Sequence, residues 1–398
     1  MTVEELEKKQ CTGCYACYNK CPLKCITMEP DMEGFFYPII QKEKCTHCGA
    51  CSRVCPSIHL VGGNENRESP EIYAAWSLDD EIRLNSTSGG IFSEIAMQVL
   101  NNGGYICGAQ YGKNHHIKHN IINTKEGLIQ IRQSKYAQSD IGDRFIQIRN
   151  LLLEQKTVMF CGTPCECAGL KNYLGKSYDN LIIIDFICRG VNSPKVYERY
   201  LCYLEEKFES KITKVWFKNK TYGWNRFSTR VEFANGQIYL KDRDHDLFIL
   251  GYIRHNLYMR PSCATCHYKQ FPRVSDVTLA DFWGVRLTDQ SQDIEKGTSL
   301  VMLHSSKGDT LFENIQSNIF YEKKCLEDAL GGNPSIVVSP VMNSKRDWFF
   351  KNLDCFSFEE LMRICCSRSI LDRVLHFLNR LIASIVVNWK SYNRRRVD

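Results

Sequence analysis

Short apolar runs alternate with amphipathic segments between residues 72 and 204, and turns containing glycine or proline separate them. The run "IYAAWS" predicts a strand, and "TSGGIFSEIAMQVLNNGG" predicts a turn that leads into a helix. The stretches "TVMFCGTPCECAGLKNYL" and "NLIIIDFICRGVNSPKVYERYLCYL" each predict a strand, a turn and a helix, in that order. This alternation is typical of α/β architecture, in which ligands bind where the strands end.

The pattern becomes β-like from about residue 211 to residue 260. The run "ITKVWFKN" predicts a strand, and "RVEFANGQIYL" predicts a hairpin that turns at Asn235 and Gly236. Next comes "RPSCATCHYKQFPRVSDVTLADFWG", which places Cys263 and Cys266 in a loop before another strand. An α/β sheet beside an antiparallel section predicts a cofactor cleft between the two.

The end of the chain predicts a helical tail, to which we assign residues 341–398. One stripe of a helix over residues 369–396 would be apolar, formed by Leu371, Val374, Leu375, Leu378, Leu381, Ile382 and Ile385. We interpret this segment as a helix docked on the protein. The alternative is a helix lying on an anionic membrane surface, with its basic end at the lipid head groups.

Composition narrows the class of protein. Of the 398 residues, 43% are hydrophobic and 24% are charged, the balance of a globular protein with a sizeable core. The net charge of +6 is modest and lies partly in the terminal "NRRRVD", so we expect no nucleic-acid partner. The start "MTVEELEKKQ" has no secretory pattern, and no apolar run approaches the roughly 18 residues of a membrane span. We expect a cytoplasmic location, with the inner membrane face as the alternative.

In that compartment the 21 cysteines indicate metal or redox use rather than disulfides. A cassette, "CTGCYACYNKCP" at residues 11–22, returns as "CTHCGACSRVCP" at residues 45–56. Each copy reads C-x2-C-x2-C-x3-C-P, the bacterial ferredoxin pattern, in which three thiolates bind one [4Fe-4S] cluster and the fourth binds the other. One cluster is therefore assigned to Cys11, Cys14, Cys17 and Cys55. The second is assigned to Cys45, Cys48, Cys51 and Cys21.

These cysteines predict a ferredoxin-type domain with two [4Fe-4S] clusters at residues 1–60. Structural zinc is the alternative, although zinc sites usually pair C-x2-C units rather than run four cysteines together. Cys25 lies outside the pattern, and we interpret it as a buried small apolar residue.

Six further segments carry a family resemblance: "STSGGIFSEI", "SKYAQSD", "GTPCECAGL", "DFICRGVNSPKVYERYL", "RPSCATCHYKQFPRVSDVTLADFWG" and "KGTSL". Together with the cassettes they resemble the beta subunit of coenzyme F-420 hydrogenases and dehydrogenases, in the bacterial form with a dicluster ferredoxin in front. The resemblance implies an FAD-containing iron–sulfur oxidoreductase. Its N-terminal-type region would occupy residues 72–165, and its C-terminal-type domain would occupy residues 166–340. The predicted fold is thus a dicluster ferredoxin domain, an α+β or α/β flavin-binding body and the helical tail.

The resemblance also implies a third metal centre. Its ligands would be Cys165, Cys188, Cys263 and Cys266, and Cys161 or Cys167 could replace one of them. Four thiolates fit [4Fe-4S] or zinc, and unmetallated thiols are the remaining alternative. Two ferredoxin clusters on the same chain favour a redox-active third centre.

The flavin contacts implied by the resemblance are Ser88, Gly89, Gly90, Lys135, Tyr136 and Ser139, and Thr163, Asp276 and Asp281 are further candidates. Lys135 would stabilise the reduced ring; the alternative is a lysine on a solvated face. The family commonly has Cys-His-Gly where this chain has Cys188, Arg189 and Gly190. Because guanidinium stays protonated, Arg189 is predicted to clamp an anionic substrate rather than to donate a proton.

We therefore expect an oxidoreductase that depends on FAD and [4Fe-4S] clusters. It would pass electrons between a ferredoxin-like carrier or partner oxidoreductase and a small organic substrate, in a setting such as polysaccharide biosynthesis. An electron-transfer subunit without its own substrate is the alternative. A scaffold with structural metals is the third hypothesis.

Overall fold

The computed structural model of the chain describes residues 2–60 and 66–366. The strands are β1 (Ile26–Pro30), β2 (Phe36–Ile40), β3 (Glu71–Ser77), β4 (Tyr105–Tyr111), β5 (Ile117–Ile122), β6 (Val158–Gly162), β7 (Leu181–Phe186), β8 (Ile212–Asn219), β9 (Ser228–Phe233), β10 (Ile238–Asp242), β11 (Val277–Asp281), β12 (Ser299–Leu303) and β13 (Ile319–Lys324). The helices are α1 (Ala16–Lys20), α2 (Ala50–Arg53), α3 (Asp80–Leu84), α4 (Ile91–Asn101), α5 (Lys125–Ile131), α6 (Arg144–Leu153), α7 (Pro164–Leu174), α8 (Pro194–Phe208), α9 (Leu247–Ile249), α10 (Ser306–Glu313), α11 (Leu326–Gly332), α12 (Arg346–Lys351) and α13 (Phe358–Cys366).

None of these described helices is long and apolar enough to cross a bilayer. The helix predicted over residues 369–396 lies outside the described residues, so both interpretations of it stay predictions.

The N-terminal module consists of the β1–β2 hairpin and the short helices α1 and α2, one from each cysteine cassette. The two cassettes repeat the same backbone turn. Tyr15 and Gly49 occupy equivalent positions before these helices, and both have a left-handed backbone, with φ of 63° and 70°. Gly13 and His47, two residues earlier in each copy, are left-handed as well. The repeated left-handed turns support the same local shape in both copies, although glycine occupies a different position in each.

An eight-stranded sheet forms the centre of the body, in the order β13-β3-β12-β11-β7-β6-β4-β5. The four strands β4, β6, β7 and β11 are parallel neighbours, whereas β12, β13 and β5 pair antiparallel. Helices α6 and α7 cover one face, and α4, α5 and α10 cover the other. Because both faces are covered, β7 and β12 are continuous apolar runs rather than alternating ones. The predicted mixed α/β body is therefore confirmed.

Strand pairing crosses residue 165, where the sequence analysis divides the body. Strand β6, before that residue, pairs with β7 after it, and β3 pairs with both β12 and β13. Backbone hydrogen bonds of a single sheet thus join the two predicted regions.

A second, three-stranded sheet, β10-β9-β8, packs against α8 and α13 around an aromatic core. In that core the fully buried carboxylate of Asp246 accepts hydrogen bonds from Tyr200 at 2.6 Å and Tyr239 at 3.0 Å. Burial raises the pKa of Asp246, while the two phenols oppose this shift.

Arg260 joins the N-terminal module to the body. Its guanidinium is 1% exposed and donates to the carbonyl oxygens of Cys11 at 2.7 Å and Phe36 at 3.0 Å, and to Gln138 Oε1 at 3.1 Å. The same cation lies 4.1 Å from the centre of the Tyr37 ring. One buried cation therefore satisfies acceptors on both sides of the contact, which offsets the cost of removing it from water.

Replacing Arg260 with alanine should destabilise the protein by about 3 kcal/mol, because acceptors on Cys11, Phe36 and Gln138 each lose the donor that joins module and body. The measurement is the denaturation midpoint of anaerobically purified protein, together with its rate of proteolysis between module and body. The exposed Arg286 provides the control, and Arg286→Ala should change stability by less than about 0.5 kcal/mol. Equal effects of the two substitutions would contradict the role of Arg260.

Candidate metal and cofactor site

Two cavities in the N-terminal module are lined by cysteines from both cassettes. The first is lined by Cys11, Cys14, Cys17 and Cys55. The second is lined by Cys21, Cys25, Cys45, Cys48 and Cys51. Each cavity thus combines three cysteines of one copy with the fourth cysteine of the other. We call the first set the proximal group, because it faces the body, and Cys21, Cys45, Cys48 and Cys51 the distal group.

Cys25 is buried, at 3% exposure, and its thiol also contacts another cysteine. Its Sγ lies 3.3 Å from Cys21 Sγ, and its backbone N–H donates to the same sulfur at 3.4 Å. The sequence interpretation of Cys25 missed this contact, which places a fifth thiol at the distal cavity. The position of Cys25, four residues after Cys21 and directly before β1, was the available signal.

The proximal group contacts helix α7 of the body. A β-carbon at Gly169 would lie 2.9 Å from Cys14 Sγ, so only glycine allows this approach. Asn19 and Lys20 of α1 donate to the carbonyls of Gly142 at 2.9 Å and Tyr173 at 3.0 Å. These contacts fix the proximal cassette against the helix.

A third group of thiols, Cys165, Cys188, Cys263 and Cys266, lies on the body. Cys165 is in the first turn of α7, Cys188 follows β7, and the other two lie in and after the turn Pro261–Thr265. A β-bridge between Asn192 and Met259 holds the last two loops side by side. The thiols are close enough for their charges to interact, Cys188 with Cys263 and Cys266, and Cys165 with Cys266 and Cys188.

The third group is half-buried, and burial raises the pKa of the Cys263 thiol to about 11, with its neighbour Cys266 adding to the shift. Burial also raises the pKa values of Cys165 and Cys188. The backbone N–H of Val191 opposes the shift at Cys263 by donating to its sulfur at 3.4 Å. Within residues 2–60 and 66–366, no three His, Cys, Asp or Glu side chains are arranged to hold one metal ion.

Cys161 and Cys167 do not join the third group. Cys167 is fully buried, and its thiol donates to the carbonyls of Gly162 and Ile184, both at 3.7 Å. Cys161 interacts electrostatically with Asp185, Glu166 and Lys135. The thiol of this segment that faces Cys188 and Cys266 is therefore Cys165.

Tyr268 lies between the proximal and third groups. Its hydroxyl interacts electrostatically with Cys14 and Cys55 on one side and with Cys165 and Cys266 on the other. The hydroxyl donates to the carbonyl oxygen of Pro56 at 3.3 Å, which ties it to the module. The sequence analysis missed this residue, although it follows Cys266 by only two positions.

The turn Ser88–Gly90 lies at the carboxyl edge, by which we mean the end of the sheet where β4, β6, β7 and β11 finish. Ser88 Oγ donates to the Thr298 carbonyl at 2.7 Å, and the Gly89 N–H donates to Ser299 Oγ at 2.9 Å. A β-carbon at Gly89 would lie 2.4 Å from the Ala75 carbonyl oxygen, and Gly90 has a φ of 93°. Both glycines are thus required by the packing of this turn.

Asp281, at the end of β11, forms a buried ion pair with Lys218 of β8. Its other oxygen accepts from Trp224 Nε1 at 2.7 Å. Burial alone would lower the pKa of Lys218, but Asp281 and Tyr136 raise it above its ordinary value. The Lys218 ammonium lies 4.6 Å from the centre of the Trp283 ring. The sequence analysis named Asp281 and Tyr136 but missed Lys218 and both tryptophans.

Tyr136 lies beside this ion pair. Its ring centre is 5.3 Å from that of Phe217 and 5.4 Å from that of Tyr252. Burial raises the pKa of Tyr136, whereas the nearby Lys218 lowers it. The carboxyl edge and the three-stranded sheet therefore meet at a set of aromatic and charged side chains.

Three predicted contacts have other partners. Asp276 precedes β11 and so lies at the opposite edge, where it accepts from Ile183 N at 2.8 Å and Ser305 Oγ at 2.7 Å. Ser139 Oγ is 2.9 Å from His119 Nδ1 in a buried pair. Thr163 caps α7 through the Glu166 N–H and lies 3.1 Å from Cys165 Sγ. The structure thus separates Asp276 from the other candidates.

Arg189 Nη2 donates to the Ile253 carbonyl at 2.7 Å and to Asn256 Oδ1 at 2.9 Å. Its Nε is among the buried polar atoms of the described residues that have no hydrogen-bond partner, and so is Thr298 Oγ1. The guanidinium therefore mainly stabilises the turn after the π-helical segment Leu250–Arg254.

Lys135 Nζ faces the carboxyl end of α5, where it donates to the carbonyls of Gln130 at 3.1 Å, Ile131 at 3.0 Å and Arg132 at 2.6 Å. These oxygens have no partner within the helix, so a cation there is favourable. Burial lowers the pKa of Lys135 to about 7, while Cys161 opposes the shift. Its flavin contact stays a prediction.

Replacing Lys135 with methionine should flatten the pH dependence of stability. An unfolded lysine has a pKa near 10.4, so between about pH 7 and pH 10 the unfolded chain binds more protons than the folded one. The free energy of unfolding should therefore rise with pH in this window, and more steeply in the unmodified protein than in Lys135→Met. Urea titrations across the window measure the slope, with the exposed Lys125→Met as control. An unchanged slope in Lys135→Met would contradict the depressed pKa.

Comparison with known proteins adds three findings. Residues 155–329 match the family model for the C terminus of the beta subunit of coenzyme F420 hydrogenase/dehydrogenase. Residues 10–58 match a "4Fe-4S dicluster domain", and a second model with that description matches residues 37–121. A search of curated proteins found no match.

Among solved structures, a chain from "Xenon derivatization of the F420-reducing [NiFe] hydrogenase complex from Methanosarcina barkeri" aligns at 15% identity with a TM-score of 0.44. The alignment covers 76% of this chain and 92% of that chain, a similarity too low to transfer a fold or a function. The family models match the segments that carry the cysteine cassettes and the third group. The chain therefore carries the C-terminal domain of the coenzyme F420 hydrogenase/dehydrogenase beta-subunit family over residues 155–329, with a 4Fe-4S dicluster domain in front of it.

Proposed function

We propose that the chain is an iron–sulfur flavoprotein oxidoreductase that exchanges electrons with a ferredoxin-like carrier or a partner oxidoreductase. In this proposal the proximal, distal and third groups each hold a [4Fe-4S] cluster, and FAD binds at the carboxyl edge. The main observation in support of this proposal is the position of helix α7. This helix contacts the proximal group and also supplies a cysteine of the third group.

Cys165 and Gly169 are four residues apart on α7, so they lie on the same face of the helix. At 1.5 Å per residue, their separation along the axis is about 6 Å. Cys14 of the proximal group packs directly on Gly169, and Tyr268 contacts both groups from the side. Two redox centres at these positions would be near neighbours, as electron transfer between them requires.

The residues of each group suit an iron–sulfur cluster. The proximal and distal cavities are lined by the crossed cysteine sets that two-cluster ferredoxins use. Backbone N–H groups of Cys25 and Val191 donate to sulfurs of the distal and third groups, an interaction that stabilises thiolates bound to iron. A [4Fe-4S] cluster, when bound, supplies one-electron chemistry.

The residues at the carboxyl edge suit a flavin. Tyr136 and Trp283 provide aromatic surface, and the Lys218–Asp281 ion pair beside them provides an ammonium that a reduced flavin could contact. The unpartnered Thr298 Oγ1 next to the Ser88 turn offers a polar contact to a ligand. A bound flavin supplies both one-electron and hydride chemistry.

A second candidate function is an electron-transfer subunit that has no substrate of its own. It is favoured by Arg189, since the guanidinium predicted to clamp a substrate already donates to Ile253 and Asn256. Both candidates share the iron–sulfur groups and differ in whether the isolated chain turns over a small molecule.

Replacing Cys165 with serine should remove about four of about twelve irons per chain, because the third cluster loses a ligand that faces Cys188 and Cys266. The matched control is Cys167→Ala on the same helix, whose thiol points to the Gly162 and Ile184 carbonyls. Iron analysis and the visible spectrum of anaerobically purified protein provide the measurement. Equal iron in both variants, or zinc in place of iron, would refute the third cluster.

Lys218→Met should lose most bound FAD while keeping its iron, because the charge beside Tyr136 and Trp283 is removed. Lys214→Met, on the exposed part of the same strand, should keep both. The measurement is FAD released from anaerobically purified protein by denaturation. Iron without FAD in the unmodified protein would reject the flavin and favour the second candidate.

A further inference from the structure

The proximal and distal groups differ in what covers them. The body covers the proximal group through Arg260, Gly169 and Tyr268. In the distal group, by contrast, Cys48 is exposed and Cys21 and Cys45 are half-buried. If electrons enter or leave through the N-terminal module, the distal group is therefore the side that a partner can reach.

The surface around the distal group is basic. We define the distal rim as the exposed residues Leu23, Lys24, Lys42, Lys44 and Arg53. Lys24 and Lys44 are close to Cys21 and Cys45 in the chain, and Arg53 Nη1 donates to the carbonyl oxygen of Cys48 at 2.9 Å.

Three exposed carboxylates, Glu4, Glu5 and Glu43, lie close to this surface, and Glu4 pairs with Lys42 at 3.3 Å. The four basic side chains therefore outnumber the nearby acidic ones. An apolar residue, Leu23, which also lines the distal cavity, is 48% exposed beside them. An exposed apolar residue surrounded by charges of one sign is the composition of a transient, electrostatically guided interface.

We propose that the distal rim binds a small, acidic, one-electron carrier protein, so that the carrier's redox centre lies next to Cys48. This inference rests on the proposed function and adds to it the place and the charge of the partner. In the transfer the carrier would lose one electron, and an iron–sulfur group held by the distal cysteines would gain it. Attraction between the rim and an acidic surface raises the association rate and is screened by salt.

The test uses anaerobically purified full-length protein and, as probe, an oxidised two-cluster bacterial ferredoxin of net negative charge. The double variant Lys24→Glu/Lys44→Glu should weaken binding by about tenfold or more. Binding to the unmodified protein should also weaken as ionic strength rises from about 0.05 to about 0.5 M. The control is Lys113→Glu/Lys125→Glu, which makes the same change of net charge at exposed positions on the body.

Bleaching of the visible spectrum by dithionite separates the two proposals. All three proteins should bleach equally, because dithionite does not need the rim. If they bleach but the rim variant and the control bind the ferredoxin equally well, or if the unmodified protein binds none, the docking proposal is overturned. If the unmodified protein contains no iron and does not bleach, the proposed function itself fails.

Discussion

The contact between Cys14 and Gly169 determines how the N-terminal module is positioned on the body. A cysteine of the proximal group can approach helix α7 this closely only where the helix has no side chain. The same helix begins, one turn earlier, with Cys165 of the third group. A single glycine thus sets the distance between two groups of thiols that are about 150 residues apart in the chain, and Arg260 and Gln138 hold the arrangement from the other side.

Much of the fold was predictable from local patterns. Strands β3, β6 and β7 and helices α4, α7 and α8 form where apolar runs and Gly or Pro turns predicted them. The cassettes defined the crossed cysteine sets, because ligand spacing in a two-cluster ferredoxin is a local property of the chain. The pairing of β6 with β7 across the predicted boundary at residue 165 is non-local, so neither strand alone predicts it.

The site was only partly predictable for a related reason. Asp276 and Asp281 flank the same strand, and only the direction of β11 beside β7 shows that they lie at opposite edges. Lys218 belongs to a different sheet from Asp281, so the ion pair depends on how the two sheets pack. A register shift between Trp216 and Asn219 and a left-handed backbone at Lys218 turn this side chain inward, and strand periodicity does not reveal such a bulge.

The two cassettes have the same cysteine pattern, but the residues that surround them differ. In the first copy the left-handed residue before α1 is Tyr15, which is 3% exposed and packs against the body, and Asn19 in the same copy hydrogen-bonds Gly142. The equivalent residues in the second copy are Gly49 and Arg53. Arg53 donates to the Cys48 carbonyl oxygen within its own copy. A ferredoxin domain grafted from another protein would consequently need a first half adapted to this body, and its second half would need to keep Cys55 in the proximal group and the Pro56 carbonyl that accepts from Tyr268.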